Sequence, residues 1–449
     1  MGESGEASRG VSESEIAARE LRGAGRRRMA PLAIVALALA VRLAFLLAFP
    51  RPLASDARDY DALAWTLTTT GHYAVADGTP TAYRAPGYPA FLAAIYAAVG
   101  RHPEAAKAAQ AALDALTALL LYALLSRRSR AAALIAGLAW AVFPAAVLFS
   151  GQLFSETAFT FGVVALAWLV SRDRAGTDAL AGLLLGALIL TKPMMLLFAA
   201  ALPFALVKRP SARPTTAILG IAIVPVLAWV ARNLLVMGTP ALITGAGASL
   251  WIGNNPRANG GYAEPAPIEV PAATGEMASD RIAGGEALTY IVAHPGATTV
   301  LGARKLALLA SSEAELAAGA FTRSDTGARL RERYRAVPAW LRAVVNMPTL
   351  VILVLGVFGF AAGPSGIERR LFVALLYAIA ASSLVFFGGS RFRFPLMPFL
   401  VTYAAGFASG GTQGIREISH WRLMAAAAIC GGIVTVWIFE ALILSGAGA

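Results

Sequence analysis

Apolar residues are grouped into blocks of about 17 to 22 positions that recur from Pro31 to Ile443, separated by shorter polar stretches. A helix needs roughly 20 such residues to cross about 30 Å of hydrocarbon. The strands of a membrane barrel would instead alternate polar and apolar residues over short segments. The pattern therefore predicts an all-α polytopic membrane protein. Its spans fall at about 31–49, 106–125, 131–149, 154–171, 177–191, 194–207, 215–235, 344–362, 371–388, 395–410 and 423–444, eleven in all.

Composition excludes the other way of using 449 residues, as a string of soluble domains. Apolar residues make up 57% of the chain and charged residues 14%, against roughly 25% charged in an ordinary soluble protein. Mean hydropathy is +0.64. A net charge of +12 and a pI near 10.2 would suit nucleic acid, but in a membrane protein arginines collect in cytoplasmic loops and at headgroups, and no nucleic-acid partner is expected. One cysteine, Cys430, leaves no disulfide. His72, His102, His294 and His420 show no ligand spacing. The start does not read as a signal peptide, because its polar region is too long and Arg42 interrupts the apolar block.

Arginine and lysine set the orientation. Residues 1–29 read as a disordered cytoplasmic tail ending in Arg26-Arg27-Arg28. With that end inside, every short inner loop is basic: Arg127-Arg128-Arg130, Arg172-Arg174, Lys208-Arg209-Arg213, Arg369-Arg370 and Arg416-Arg422. Residues 175–207 lie between two such clusters, so they must go out and return as two short helices with Thr191-Lys192-Pro193 at the apex. A single tilted span would put Lys208 on the wrong side. Residues 411–449 form a last loop and helix that ends outside.

Two long stretches, 50–105 and about 236–343, are then extracytoplasmic, and loops of this size usually carry function. In the first, 56–70 and 87–100 read as amphipathic helices lying along the membrane surface. The second opens on Gly253-Asn254-Asn255-Pro256 and turns helical near 275–335. No internal repeat is visible, which weighs against a transporter.

Acidic residues are scarce, so their positions matter. Asp56 and Tyr60, in Ser55-Asp56-Ala57-Arg58-Asp59-Tyr60, share one helix face just beyond the first span. Asp56 or Ser55 would also serve as an N-cap, and Asp59 would offset the helix dipole. Glu156 opens the fourth span on the same outer face, where a first-turn acid has the same structural alternative. Two carboxylates converging there suit a site that handles hydroxyl protons. Arg84, Lys192, Arg232, Arg391 and Arg393 lie on that face as well. Each alone could snorkel to headgroups; together they suit an anion, and a lipid phosphate is the anion at this depth. Arg42, near mid-span, requires a partner inside the bundle.

The order of these pieces resembles the membrane-embedded glycosyltransferases of the C superfamily, in the branch of protein O-mannosyltransferases and bacterial aminoarabinose and galacturonic acid transferases. It runs through Asp56-Ala-Arg-Asp-Tyr60, Arg84-Ala-Pro-Gly-Tyr88-Pro89, Ser155-Glu156, Thr191-Lys192-Pro193, Arg232-Asn233, Trp251-Ile-Gly-Asn254-Asn255-Pro256 and Arg391-Phe-Arg393-Phe-Pro-Leu-Met-Pro398, over residues 31 to 410. The resemblance implies a transferase domain over 30–410 in the plasma membrane with its site facing outward. The donor would be a polyprenyl-phosphate-linked sugar and the acceptor a lipid or glycan, as in lipopolysaccharide or glycolipid modification. Asp56 falls on the first-loop catalytic carboxylate, with Glu156 or Asp59 as a second acid. Asp59, Tyr60, Arg84, Tyr88, Lys192, Arg232, Asn254, Asn255, Arg391 and Arg393 would bind substrate. The first loop departs from members that carry an Asp-Glu pair, since Ala57 follows Asp56. Some relatives use a divalent metal, and this sequence leaves that undecided. A lipid-linked sugar flippase and a glycan polymerase or ligase are the alternative functions.

Overall fold

A computed structural model describes residues 13–172, 175–207, 213–271, 275–322, 330–416 and 418–445. Helices build the described residues throughout, with one isolated antiparallel bridge between Ala74 and Pro80. The first, α1 (Glu13–Ala48), reaches further back than expected, so residues 13–29 of the anticipated disordered tail are helical. Alanine, glutamate and arginine favour that state, and an existing span removes the cost of nucleation. Residues 1–12 lie outside the described residues, as do Arg174, Lys208 and Arg209 of the inner loops.

Two helices follow in the first outer loop, α2 (Asp56–Thr70) and α3 (Gly87–Val99), within a residue of the amphipathic segments read from sequence. Then come α4 (Pro103–Leu125), α5 (Arg130–Ala141), α6 (Pro144–Ser150), α7 (Ser155–Ser171), α8 (Ala175–Ile189), α9 (Met195–Leu206) and α10 (Arg213–Met237). The second outer stretch holds α11 (Ala246–Gly253), α12 (Glu276–Ala293), α13 (Pro295–Leu309), α14 (Ala314–Phe321) and α15 (Leu330–Ala336). The chain closes with α16 (Ala339–Ala362), α17 (Ile367–Val385), the single turn α18 (Ser390–Arg393), α19 (Met397–Arg416) and α20 (His420–Ser445). Five helices are long and apolar enough to cross a membrane alone, or six if the bent pair α5–α6 is one span, while α7, α8 and α9 are apolar but shorter. The chain is a multi-pass α-helical membrane protein.

The segment expected as one span over 131–149 is broken, with α5 and α6 meeting at 47°. Pro144 is the cause. It has no N–H to offer the carbonyl of Trp140, four residues back, so α5 stops. Arg42 supplies donors instead. Its Nη2 donates to Trp140 O (3.2 Å), and its Nη1 to Ala141 O (2.8 Å) and Ala38 O (2.9 Å). Its Nε donates to Asp114 Oδ2 (2.6 Å), whose other oxygen accepts from Trp140 Nε1 (3.0 Å). Arg42 and Asp114 are fully buried. This is the partner that a mid-span guanidinium requires, and it joins α1, α4 and the break in α5.

One buried core runs from Ile34 of α1 through Trp140, Phe159, Leu185 and Phe198 to Phe399 and Trp437. A second, smaller one packs α2 and α3 through Tyr60, Ala64, Tyr88 and Leu92 onto Leu153. At one end of the bundle the basic connections meet: Arg128 lies 3.3 Å from Glu368, and Arg370 Nε donates to Ala205 O at the end of α9 (2.6 Å). Glu156 opens α7 and Lys192 precedes α9, so both sit at the other end.

Candidate active site

Asp56 is the first residue of α2. The turn before it is strained: Ser55 has φ 52°, the only positive φ outside glycine among the described residues. Neither capping alternative is realised, because Ser55 makes no side-chain cap bond and the Asp56 carboxylate faces two arginines. Arg84 Nη2 donates to Asp56 Oδ1 (2.8 Å) and Asp59 Oδ2 (2.7 Å). Arg391 Nη2 lies 3.1 Å from Asp56 Oδ2 and 2.9 Å from Glu156 Oε1. Lys192 Nζ donates to the same Glu156 oxygen (3.1 Å). Three carboxylates thus meet three cations from five separate parts of the chain. Such charge-assisted contacts are the strong kind.

The supporting backbone explains why these segments meet. Gly87 N donates to Leu190 O (2.7 Å), and a Cβ on Gly87 would lie 2.9 Å from that oxygen. Only glycine lets the Arg84 loop approach the Thr191-Lys192-Pro193 apex so closely. Arg84 is further fixed by Tyr73, whose Oη donates to its carbonyl (2.9 Å). Tyr60 packs edge-on against Tyr88, with ring centroids 4.9 Å apart, and the Tyr88 hydroxyl donates to Gln110.

The environment separates the two central carboxylates. The Asp56 side chain is 20% exposed and that of Glu156 only 1%. Burial pushes the Tyr60 phenol up to about 12, so it is neutral at physiological pH. Burial also acts to lower the Arg84 and Arg391 pKa values, but the adjoining carboxylates (Asp56 for Arg84, Glu156 and Asp56 for Arg391) outweigh it and raise both above the ordinary guanidinium value.

A cavity of about 730 Å³ opens beside this network. Tyr60, Arg84, Ser155 and Lys192 line it together with a larger apolar surface that includes Met194, Leu197, Ile243, Ile379, Val385 and Phe386. A ligand with both a charged group and hydrocarbon fits such a lining. The wall from 241–249 and 379–387 was not marked by any polar motif, so the sequence offered no sign of it.

Asp56, Asp59, Tyr60, Arg84, Glu156, Lys192 and Arg391 are therefore brought together, with Tyr88 behind Tyr60. The remaining candidates are not. Arg393 is buried away from the cavity, donating to Leu309 O (2.7 Å) and Ser311 O (2.8 Å) and paired with Glu313. Arg391 and Arg393 are two apart in a helical turn, so they point to opposite sides. Arg232 holds the backbone of the first outer loop at Tyr73 O and Thr81 O. Asn254 Nδ2 donates to Leu250 O and Val385 O, both at 2.9 Å, and Asn255 Nδ2 to Trp251 O (2.8 Å). These three residues hold backbone and do not join the network around Asp56.

Among the described residues no three His, Cys, Asp or Glu side chains gather to hold a metal. Asp56 and Glu156 each already face guanidinium or ammonium groups where a cation would have to bind. This donor set does not fit a divalent metal.

No curated protein matches the chain. Among solved structures it is similar to the archaeal oligosaccharyltransferase AglB from Archaeoglobus fulgidus in complex with an inhibitory peptide and a dolichol-phosphate. That match has 14% identity and a TM-score of 0.42, covering 90% of this chain and 54% of that one. It is similar also to ArnT from Cupriavidus metallidurans bound to undecaprenyl phosphate, with 13% identity and a TM-score of 0.41, covering 86% of this chain and 77% of that one. The chain thus spans about half the length of the archaeal enzyme. Residues 83–234, which carry Arg84, Glu156 and Lys192, match the family of dolichyl-phosphate-mannose-protein mannosyltransferases, within the superfamily that the sequence motifs resemble.

Proposed function

We propose that the protein is a glycosyltransferase that takes a sugar from a polyprenyl-phosphate donor and passes it, with inversion, to a hydroxyl of a lipid or glycan acceptor. The observation that carries this is Arg391, held between Asp56 and Glu156 in a charge network whose Arg84 and Lys192 line an apolar-walled cavity. The family match over residues 83–234 supports it.

The chemistry follows from the charges. Without ligand, the three cations are neutralised by the protein's own carboxylates. A donor phosphate entering beside Arg84, Lys192 and Arg391 competes for their N–H groups and draws them away from Asp56. Glu156, buried beneath, keeps hold of Lys192 and Arg391 and so aims them. Asp56, partly exposed and now freed, accepts the proton of the acceptor hydroxyl as its oxygen attacks the anomeric carbon. The bond from that carbon to the phosphate oxygen breaks, and the phosphate leaves with the electron pair, stabilised by the cations. Attack opposite the leaving phosphate inverts the anomeric centre. In this proposal the chain crosses the plasma membrane eleven times, with the site and the C-terminus outside.

Purified protein in detergent, given radiolabelled polyprenyl-phosphate sugar and a cellular lipid extract, is expected to label the acceptor without any gradient. Movement of lipid-linked sugar across vesicles with no transfer would instead make it a flippase.

A further inference from the structure

Arg391 reaches the site from a strap, residues 386–389, between the end of α17 and the turn α18. Within the strap, Phe387 packs edge-on against Tyr262 and Phe392. The last carbonyls of α17 have no donor within the helix. Lys305 of α13, 1% exposed, provides one. Its Nζ donates to Leu384 O (3.1 Å) and to Asn254 Oδ1 (2.8 Å), with Val385 O at 3.5 Å. Asn254 in turn donates to Val385 O (2.9 Å). A cation at a helix C-terminus is also favoured by the helix dipole. Burial pushes this ammonium down to about 8, so the charged form holds the carbonyls at neutral pH.

The same segments grip the strap by backbone. Gly388 N donates to Gly260 O (2.8 Å). A Cβ on Gly253 would collide with the Phe386 carbonyl oxygen, and one on Gly388 with that of Lys305. Val385 and Phe386, whose carbonyls lie in this clasp, line the cavity wall. A buried lysine in an outer loop, far along the chain from the site, is thus one backbone segment away from the guanidinium that bridges the catalytic carboxylates.

We infer that Lys305 is a positioning residue: with Asn254 it clamps the end of α17 and so sets where Arg391 meets the donor phosphate. The link to phosphate rests on the donor proposed above; the clamp itself does not. Two measurements on the full-length protein in detergent separate them. Lys305→Met keeps the unbranched shape without charge or donors. Hydrogen exchange of the amides of 386–392 is expected to rise about tenfold in this variant, with α4 and α7 unchanged, because the local opening loses its anchor. Unchanged exchange in the strap, or an equal rise throughout the core, would overturn the clamp. Undecaprenyl phosphate is the binding probe. Lys305→Met should weaken it about tenfold, as loss of a group that orients a ligand-holding side chain does. In an Arg391→Ala background the same change should have little further effect. Additive losses would show that Lys305 does not act through Arg391. Failure of the wild-type protein to bind the probe would overturn the donor proposal alone, leaving exchange to decide the clamp.

Discussion

Asp56→Asn separates the two roles open to this residue, and its effects should have opposite signs. As a base, Asp56 must take a proton, which an amide cannot do at neutral pH; general bases typically contribute about 10²- to 10⁴-fold. Transfer is therefore expected to fall at least about a hundredfold. Phosphate binding should move the other way. Asp56 now accepts from Arg84 (2.8 Å) and lies 3.1 Å from Arg391, contacts an entering phosphate must displace. Charge-assisted bonds are worth about 1.5–3 kcal/mol when buried. Here the side chains are 20–28% exposed and screened by solvent, so a net of about 1 kcal/mol is the reasonable expectation. Removing the competing charge should then tighten undecaprenyl phosphate binding roughly fivefold. The fold should persist, because Ser55 and Asp56 make no cap bond that Asn would lose. Single-turnover transfer and equilibrium binding on the same purified sample measure both. Near-normal turnover would move the base to Asp59 or Glu156. Weaker phosphate binding would refute the competition between carboxylate and phosphate.

Four other outcomes are expected. Arg391→Lys should lose donor affinity, since lysine cannot reproduce a two-pronged guanidinium contact, and normal donor KM would reduce Arg391 to a headgroup anchor. Arg393→Ala should instead lower thermal stability, by about 3–5 kcal/mol, because Glu313 and two carbonyls would stay buried without their donor; a donor-specific defect in a stable Arg393→Ala protein would contradict this. Glu156→Gln should raise donor KM more than it lowers turnover, as it loosens Arg391 and Lys192 without removing the base, and an unchanged KM would argue against that anchoring role. In a Cys430→Ala background, Asn259→Cys should react with an impermeant thiol reagent on intact cells, whereas protection there with labelling of Arg128→Cys would invert the topology.

What the sequence reveals and hides follows from how far each interaction reaches along the chain. The helices over 56–70 and 87–100 were legible because their apolar spacing is local, and the two short helices within 175–207 because charge at its two ends leaves few alternatives to a break. That Arg42 needs a partner was legible from hydrocarbon energetics. That the partner is Asp114, and that Arg42 also serves the carbonyls freed by Pro144, depends on contacts 72 and 99 residues away. The break in α5 was missed because hydropathy averages over a window, whereas one missing N–H acts at a single turn.

Sequence reasoning treated Arg391 and Arg393 as a pair because both carry the right chemistry at the right depth. A strand would have put them on one face, but the single turn α18 sets them on opposite sides of the chain, one toward Asp56 and one toward Glu313. Asp56 and Glu156 are likewise equal as acids at the outer edge and differ only in burial, 20% against 1%. In the proposed reaction that difference would decide which acid releases its cations to an entering phosphate and which keeps them. A carboxylate buried beneath two cations is a poor base but a firm anchor, since giving up its partners would leave an uncompensated charge away from water. In the proposed reaction the partly exposed acid and the buried one beneath it divide proton transfer from aiming, with Asp56 taking the proton.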